Sequence, residues 1–229
     1  MVSSSRQQIR LFRVFGITVF LHWSWFFVAA YELDQRSGGY SALGWNIAEY
    51  VALFAIVLLH EFGHSLACRQ VGGTASEIIL WPMGGVAFVS PPPRPGAVLW
   101  SIAAGPLVNV ALVILLAVAN PFLHELSISR SAHHFLNQLW IINLGLLIFN
   151  LLPVYPLDGG QILRALLWFP LGRAHSLTVA AVIGVIGSLG LVGLALWMAS
   201  FWIGLMAAFI LAQCWRGFQE AQRLRDAAR

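Results

Sequence analysis

Apolar runs long enough to cross a lipid bilayer recur along this chain, and they restrict its fold more than any other feature. A transmembrane helix needs about 20 consecutive apolar residues. Six stretches approach that length, at about 17–31, 47–68, 97–119, 135–152, 177–199 and 201–215. Only 10% of the 229 residues are charged, against about 25% in a soluble domain. No polar stretch is long enough to form a second domain, so the expectation is one integral-membrane domain over residues 1–229. An N-terminal signal peptide does not fit, because HWSW interrupts the first run and no small-residue cleavage site follows it.

The basic residues orient these spans. All thirteen are arginines. With the N-terminus inside and six spans, only Arg36 and Arg130 fall on outer segments, and the positive-inside rule then puts both termini in the cytoplasm. Arginines scattered between apolar runs do not make a nucleic-acid surface. Two cysteines, Cys68 and Cys214, imply no disulfide framework. Residues 74–90, TASEIILWPMGGVAFVS, carry β-branched residues on either side of Pro82-Met83-Gly84-Gly85. That pattern predicts a short membrane-associated β-hairpin between the second and third helices. The fold class expected is therefore an all-α membrane protein of about six transmembrane helices with that one hairpin. Glycines 184, 187, 190 and 193, and the Ala180-Gly184-Ser188 pattern, predict close helix packing.

Inside the second run lies LLHEFGHSLA, residues 58–67. An ionisable side chain near the middle of a membrane helix costs roughly 2.5–3.5 kcal/mol on insertion scales, so Glu61 at this depth calls for a compensating partner. His60 and His64 are four residues apart and share one helix face, where both can reach a single ion. Glu61 lies beside that face and suits a general base. A three-ligand zinc site needs one more donor. Asp158 is the sole acid between Glu125 and Glu220, follows an apolar run, and returns to the membrane level of the histidines in the six-span layout. The competing role for Asp158 is the N-cap of QILRALLWF. Pro153 and Pro156 break the chain before it, and Gly159-Gly160 allow a tight turn or a close backbone approach. Asn109 suits an interhelical hydrogen bond, and His22 an interfacial aromatic belt with Trp23 and Trp25.

HEFGH taken together with NLLPVYPLDGG resembles the site-2 protease family of intramembrane zinc metalloproteases. GITVFLHWSW at 16–25, with Thr18 where a proline is commoner, is similar to that family's first-helix motif. PMGGVAFV at 82–89 and AGPLVNVAL at 104–112 resemble further family segments. The resemblance implies a catalytic core over about 14–170, with extra C-terminal helices at about 177–215 and a cytoplasmic tail at 216–229. It implies one catalytic Zn2+ held by His60, His64 and Asp158, with Glu61 as the catalytic glutamate and Asn150 as a substrate-binding residue. The activity implied is a zinc endopeptidase that cuts membrane proteins within or near their transmembrane segments, as in regulated intramembrane proteolysis. It would act in a bacterial or archaeal cytoplasmic membrane, with its active site toward the cytoplasm. Its partners would be the lipid bilayer, a membrane-protein substrate and a regulatory membrane partner, with no nucleic acid. Many relatives append PDZ or cystathionine-β-synthase-type domains, and RGFQEAQRLRDAAR at the C-terminal end resembles neither. A metal or proton transporter using the same His/Asp cluster is the alternative. Glu61 separates the two, since transport needs ligands but no base beside them.

Overall fold

The computed structural model describes residues 8–25, 43–81, 84–125 and 129–227. In chain order these form β1 (Gln8–Val14), β2 (Ile17–His22), α1 (Leu43–Gln70), β3 (Thr74–Trp81), β4 (Gly84–Ser90), α2 (Pro95–Glu125), α3 (Arg130–Asn150), α4 (Asp158–Trp197) and α5 (Phe201–Asp226). Five of the described helices are long and apolar enough to cross a membrane. The protein is a multi-pass membrane protein. Its described residues fall into two compact units, Met1–Pro92 with Ala104–Leu147, and Pro93–Ala103 with Ile148–Arg229.

The first unit corrects the all-α expectation. The hairpin over 74–90 forms as β3 and β4, but it is half of a four-stranded sheet in the order β1-β2-β3-β4. β1 pairs antiparallel with β2, β2 parallel with β3, and β3 antiparallel with β4. The run expected to be a helix from Ile17 therefore starts as a strand. ITVFLH is rich in β-branched and aromatic residues, and its burial alternates from Ile17 to Phe20, which a pleated surface accommodates well. The rest of that expected first helix, 26–31, lies outside the described residues, as do Pro82 and Met83 at the hairpin turn. Phe15 and Gly16 both take positive φ, +50° and +72°, at the two-residue turn joining β1 to β2.

One face of the sheet packs on α1. Ile17, Val19, Val57, Ile78 and Leu80 form its buried core, with Leu53, Phe54, Leu58, Phe62 and Leu146 around it. Arg69 closes the corner between α1 and the sheet. Its guanidinium donates to the carbonyls of Phe15, Gly16 and Ala75, joining the end of α1 to the β1–β2 turn and to β3. His22 is buried at the end of β2, stacked on Trp81 with ring centroids 4.1 Å apart, and its Nδ1 lies 2.5 Å from Ser24 Oγ.

In the second unit, α4 and α5 pack along a seam of small residues. The α5 residues Ala207, Ile210, Cys214, Gly217 and Ala221 are buried at alternating spacings of three and four, the pattern of one narrow helix stripe. From α4 come Leu177, Ala180, Ala181, Gly184 and Ser188. A Cβ at Gly184 would meet Cys214 Sγ and Tyr155 O, and one at Gly187 would meet Val154, whereas Gly190 and Gly193 face nothing nearby. Close packing thus explains two of the four glycines. The expected fifth helix begins earlier than 177. QILRALLWF and the following span read as a single helix, interrupted at Gly172, where φ +75° and ψ 170° break the helical path. α5 likewise continues past 215 to Asp226, so most of the expected tail is helical. Both cysteines are free and buried, Cys68 against Thr74 O and Cys214 against Tyr155 O.

Candidate metal centre

His60, Glu61 and His64 are all buried on α1, between 6% and 8% exposed. One helical turn brings the two imidazoles together, with Nε2 of His60 and Nε2 of His64 3.0 Å apart and the ring planes at 84°. Two nitrogens each about 2.0–2.1 Å from one tetrahedral ion stand at a comparable separation.

The ring pair is packed against α2. Gly63 sits between the two histidines on α1, and a Cβ there would lie 2.7 Å from Ala104 O, so only glycine allows this helix approach. Gly105 on α2 faces the imidazoles directly. A Cβ at Gly105 would be 2.9 Å from His60 Nε2 and closer still to the His64 ring. The space in front of both nitrogens is therefore kept clear by a missing side chain. With two converging imidazoles as donors, the site fits a borderline-soft divalent ion such as zinc.

His60 is also held from behind. Its Nδ1 lies 2.5 Å from Asn109 Oδ1, one turn beyond Gly105 on α2. Asn109 Nδ2 donates to Asn143 Oδ1 on α3 at 2.6 Å, and Asn143 Nδ2 donates back to Asn109 O at 2.9 Å. Both asparagines are fully buried. Asn109 is thus an interhelical hydrogen-bond partner as its position predicts, but what it holds is a histidine of the candidate site. Asn143 carries an equally legible signal, an amide in the middle of an apolar run, and sequence reasoning passed over it.

Glu61 points toward the sheet. Its Oε2 accepts from the Ala87 N–H of β4 at 2.8 Å, and a Cβ at Gly85 would overlap its carboxyl group. The glutamate is oriented by the strand after the hairpin turn, a contact that spacing along α1 does not reveal.

Asp158 and Asn150 belong to the second unit. Asn150 is the last residue of α3 and half-buried. Asp158 is half-buried and opens α4. The N-cap position falls to Leu157, which makes no side-chain cap bond, so the capping role weighed for Asp158 is not the one it takes. Gly159 and Gly160 serve close approach. A Cβ at either would strike the backbone of Leu151–Leu152 or of Val154–Tyr155. Gln161 Nε2 donates to Pro156 O, and the Tyr155–Pro156 peptide is cis. Burial pushes the Tyr155 phenol above its usual range, opposed by the charge of Arg164.

A sequence model of peptidase family M50 matches residues 48–126 and 119–194, which include His60, Glu61, His64, Asn150 and Asp158. The chain belongs to peptidase family M50. Among M50 relatives, it is 36% identical over 178 residues to the zinc metalloprotease MJ0392 of Methanocaldococcus jannaschii, covering 77% of this chain and 50% of that protein. It is 32% identical over 233 residues to the putative zinc metalloprotease Rip3 of Mycobacterium tuberculosis, covering 90% of this chain and 58% of that one. The chain therefore spans between half and three-fifths of the length of these curated relatives. The fold is similar to the solved site-2 protease from Methanocaldococcus jannaschii, with a TM-score of 0.67 at 31% identity, over 92% of this chain and 95% of that one.

Proposed function

We propose that this M50 chain is an intramembrane zinc endopeptidase that hydrolyses peptide bonds within or near transmembrane segments of membrane proteins. The observation that carries the reading is the pair of imidazole nitrogens 3.0 Å apart, with a glutamate beside them, buried in an apolar helix. The transporter alternative gains no support from the M50 match or from relatives named as zinc metalloproteases.

In this reading His60, His64 and Asp158 are the three protein donors to one zinc ion. The support for Asp158 is its place in the LDGG motif and the chemistry of its carboxylate. Zinc, when bound, acts as a Lewis acid that lowers the pKa of water to about 7 and polarises a carbonyl. Glu61 takes the proton of the attacking water and delivers it to the leaving nitrogen. Asn150 donates to the substrate backbone or its carbonyl oxygen. An extended substrate segment pairs along β4, an edge strand of the sheet. Six spans would put both termini in the cytoplasm of a bacterial or archaeal cell and turn the site toward that side. The arginine asymmetry supports this orientation. The single membrane domain spans residues 1–229.

Glu61→Gln tests the reading. The variant should retain zinc and lose cleavage of a single-span substrate by at least about 10²–10⁴-fold. Undiminished cleavage would reject the mechanism, and zinc uptake into vesicles by the wild type would favour transport.

A further inference from the structure

We infer that Asn109 and Asn143 are positioning residues that fix the tautomer of His60, and so set which of its nitrogens is offered to the metal. The inference rests on His60 being a metal ligand.

Asn109 O can only accept, so the Asn143 atom 2.9 Å from it must be the amide nitrogen. That places Asn143 Oδ1 toward Asn109, where it needs a donor, and the Asn109 atom 2.6 Å away is therefore Nδ2. Asn109 Oδ1 is then left facing His60 Nδ1 at 2.5 Å. A carbonyl oxygen accepts, so Nδ1 carries the hydrogen. A neutral imidazole has one N–H, so Nε2 becomes the lone-pair nitrogen. It is this nitrogen that lies 3.0 Å from His64 Nε2, in the space kept clear by Gly105. Each amide orientation follows from the one before it, and the chain of donors ends on the ring.

Burial enforces the order. His60 is 6% exposed, Asn109 1% and Asn143 0%. A reversed amide would leave buried donors facing donors, and a buried polar group left without a partner is strongly disfavoured. Partners behind a ligating histidine typically change metal affinity by about 10–100-fold when removed.

The test is zinc affinity of the full chain in detergent, by competition with a chelator, using zinc alone as the probe. Asn109→Leu keeps the approximate volume and removes the acceptor. Asn109→Asp keeps an acceptor for the His60 N–H. Asn143→Ala removes the far end of the chain of bonds. The expected result is a loss of about 10–100-fold for Asn109→Leu, a smaller loss for Asn143→Ala, and an Asn109→Asp affinity within about threefold of wild type. Thermal unfolding of the metal-free proteins reports whether each variant is folded. Wild-type affinity in Asn109→Leu would overturn the inference. So would equal losses in the Leu and Asp variants, because packing alone would then be at stake. If His60→Ala binds zinc as tightly as the wild type, the ligand assignment itself fails and the inference falls with it.

Discussion

Glycine does work at this site that polar residues usually receive credit for. Gly105 faces both imidazole nitrogens, and Gly85 faces the Glu61 carboxyl. In each place a methyl group would occupy space that the chemistry needs. Gly105→Ala should lower zinc affinity by at least about tenfold, since even small overpacking of a tight site costs about 1–3 kcal/mol. Gly85→Ala should leave zinc affinity unchanged and reduce cleavage, because it displaces the carboxyl group and not the imidazoles. Metal titration and a cleavage assay on both variants separate the two effects. Loss of zinc in Gly85→Ala, or full zinc affinity in Gly105→Ala, would contradict these assignments. The two histidines and Glu61 are legible from H-E-x-x-H alone, because helical periodicity places them. Gly105 and Asn109 share a face of α2 by the same four-residue spacing, yet nothing in that spacing says which helix they meet. Ala87 is invisible to sequence reasoning, since its contribution is a backbone N–H at the edge of a sheet.

Among the elements, the helices were easier to foresee than the strands. Long apolar runs announce a span through length alone, and α2 and α3 lie close to their expected positions. β1 and β2 were missed for a physical reason. ITVFLH is short, apolar and adjacent to a continuing apolar run, so periodicity cannot distinguish a strand from the start of a helix, and QIRLFRV, with Gln8, Arg10 and Arg13, reads as a charged segment ahead of that run. Arg69 adds hydrogen bonds to the apolar packing that holds that part of the sheet to α1. Arg69→Ala removes bonds from a charged donor to three carbonyls and should destabilise the protein by about 1–3 kcal/mol. Thermal unfolding in detergent measures this, and an unchanged midpoint would mean the corner is held by packing alone. In α4 the interruption at Gly172 takes a backbone conformation open essentially to glycine, and Gly172→Ala should destabilise by about 1–3 kcal/mol. A neutral effect would show that the helix can straighten.

Among the described residues, large apolar side chains are widely exposed on the helices. Ile114, Leu115, Ile186, Leu189, Leu196 and Trp215 are all more than half exposed, while the buried positions of α4 and α5 are mostly alanine, glycine, serine and cysteine. Lipid tails are as apolar as a leucine side chain, so burying leucine between membrane helices gains little and close approach of small residues gains more. This arrangement was legible from composition. The side of the membrane that each end faces depends on the first span and on the arginine asymmetry, and reporter fusions at both ends should read cytoplasmic. The central chemical claim is that His60, His64 and Asp158 hold one zinc ion on which cleavage depends. X-ray absorption at the zinc edge of the active, membrane-embedded protein tests it most directly. The account predicts two imidazole nitrogens at about 2.0–2.1 Å and a carboxylate oxygen at about 2.0–2.2 Å. A sulfur shell near about 2.3 Å, or full cleavage by protein that carries no zinc, would contradict it.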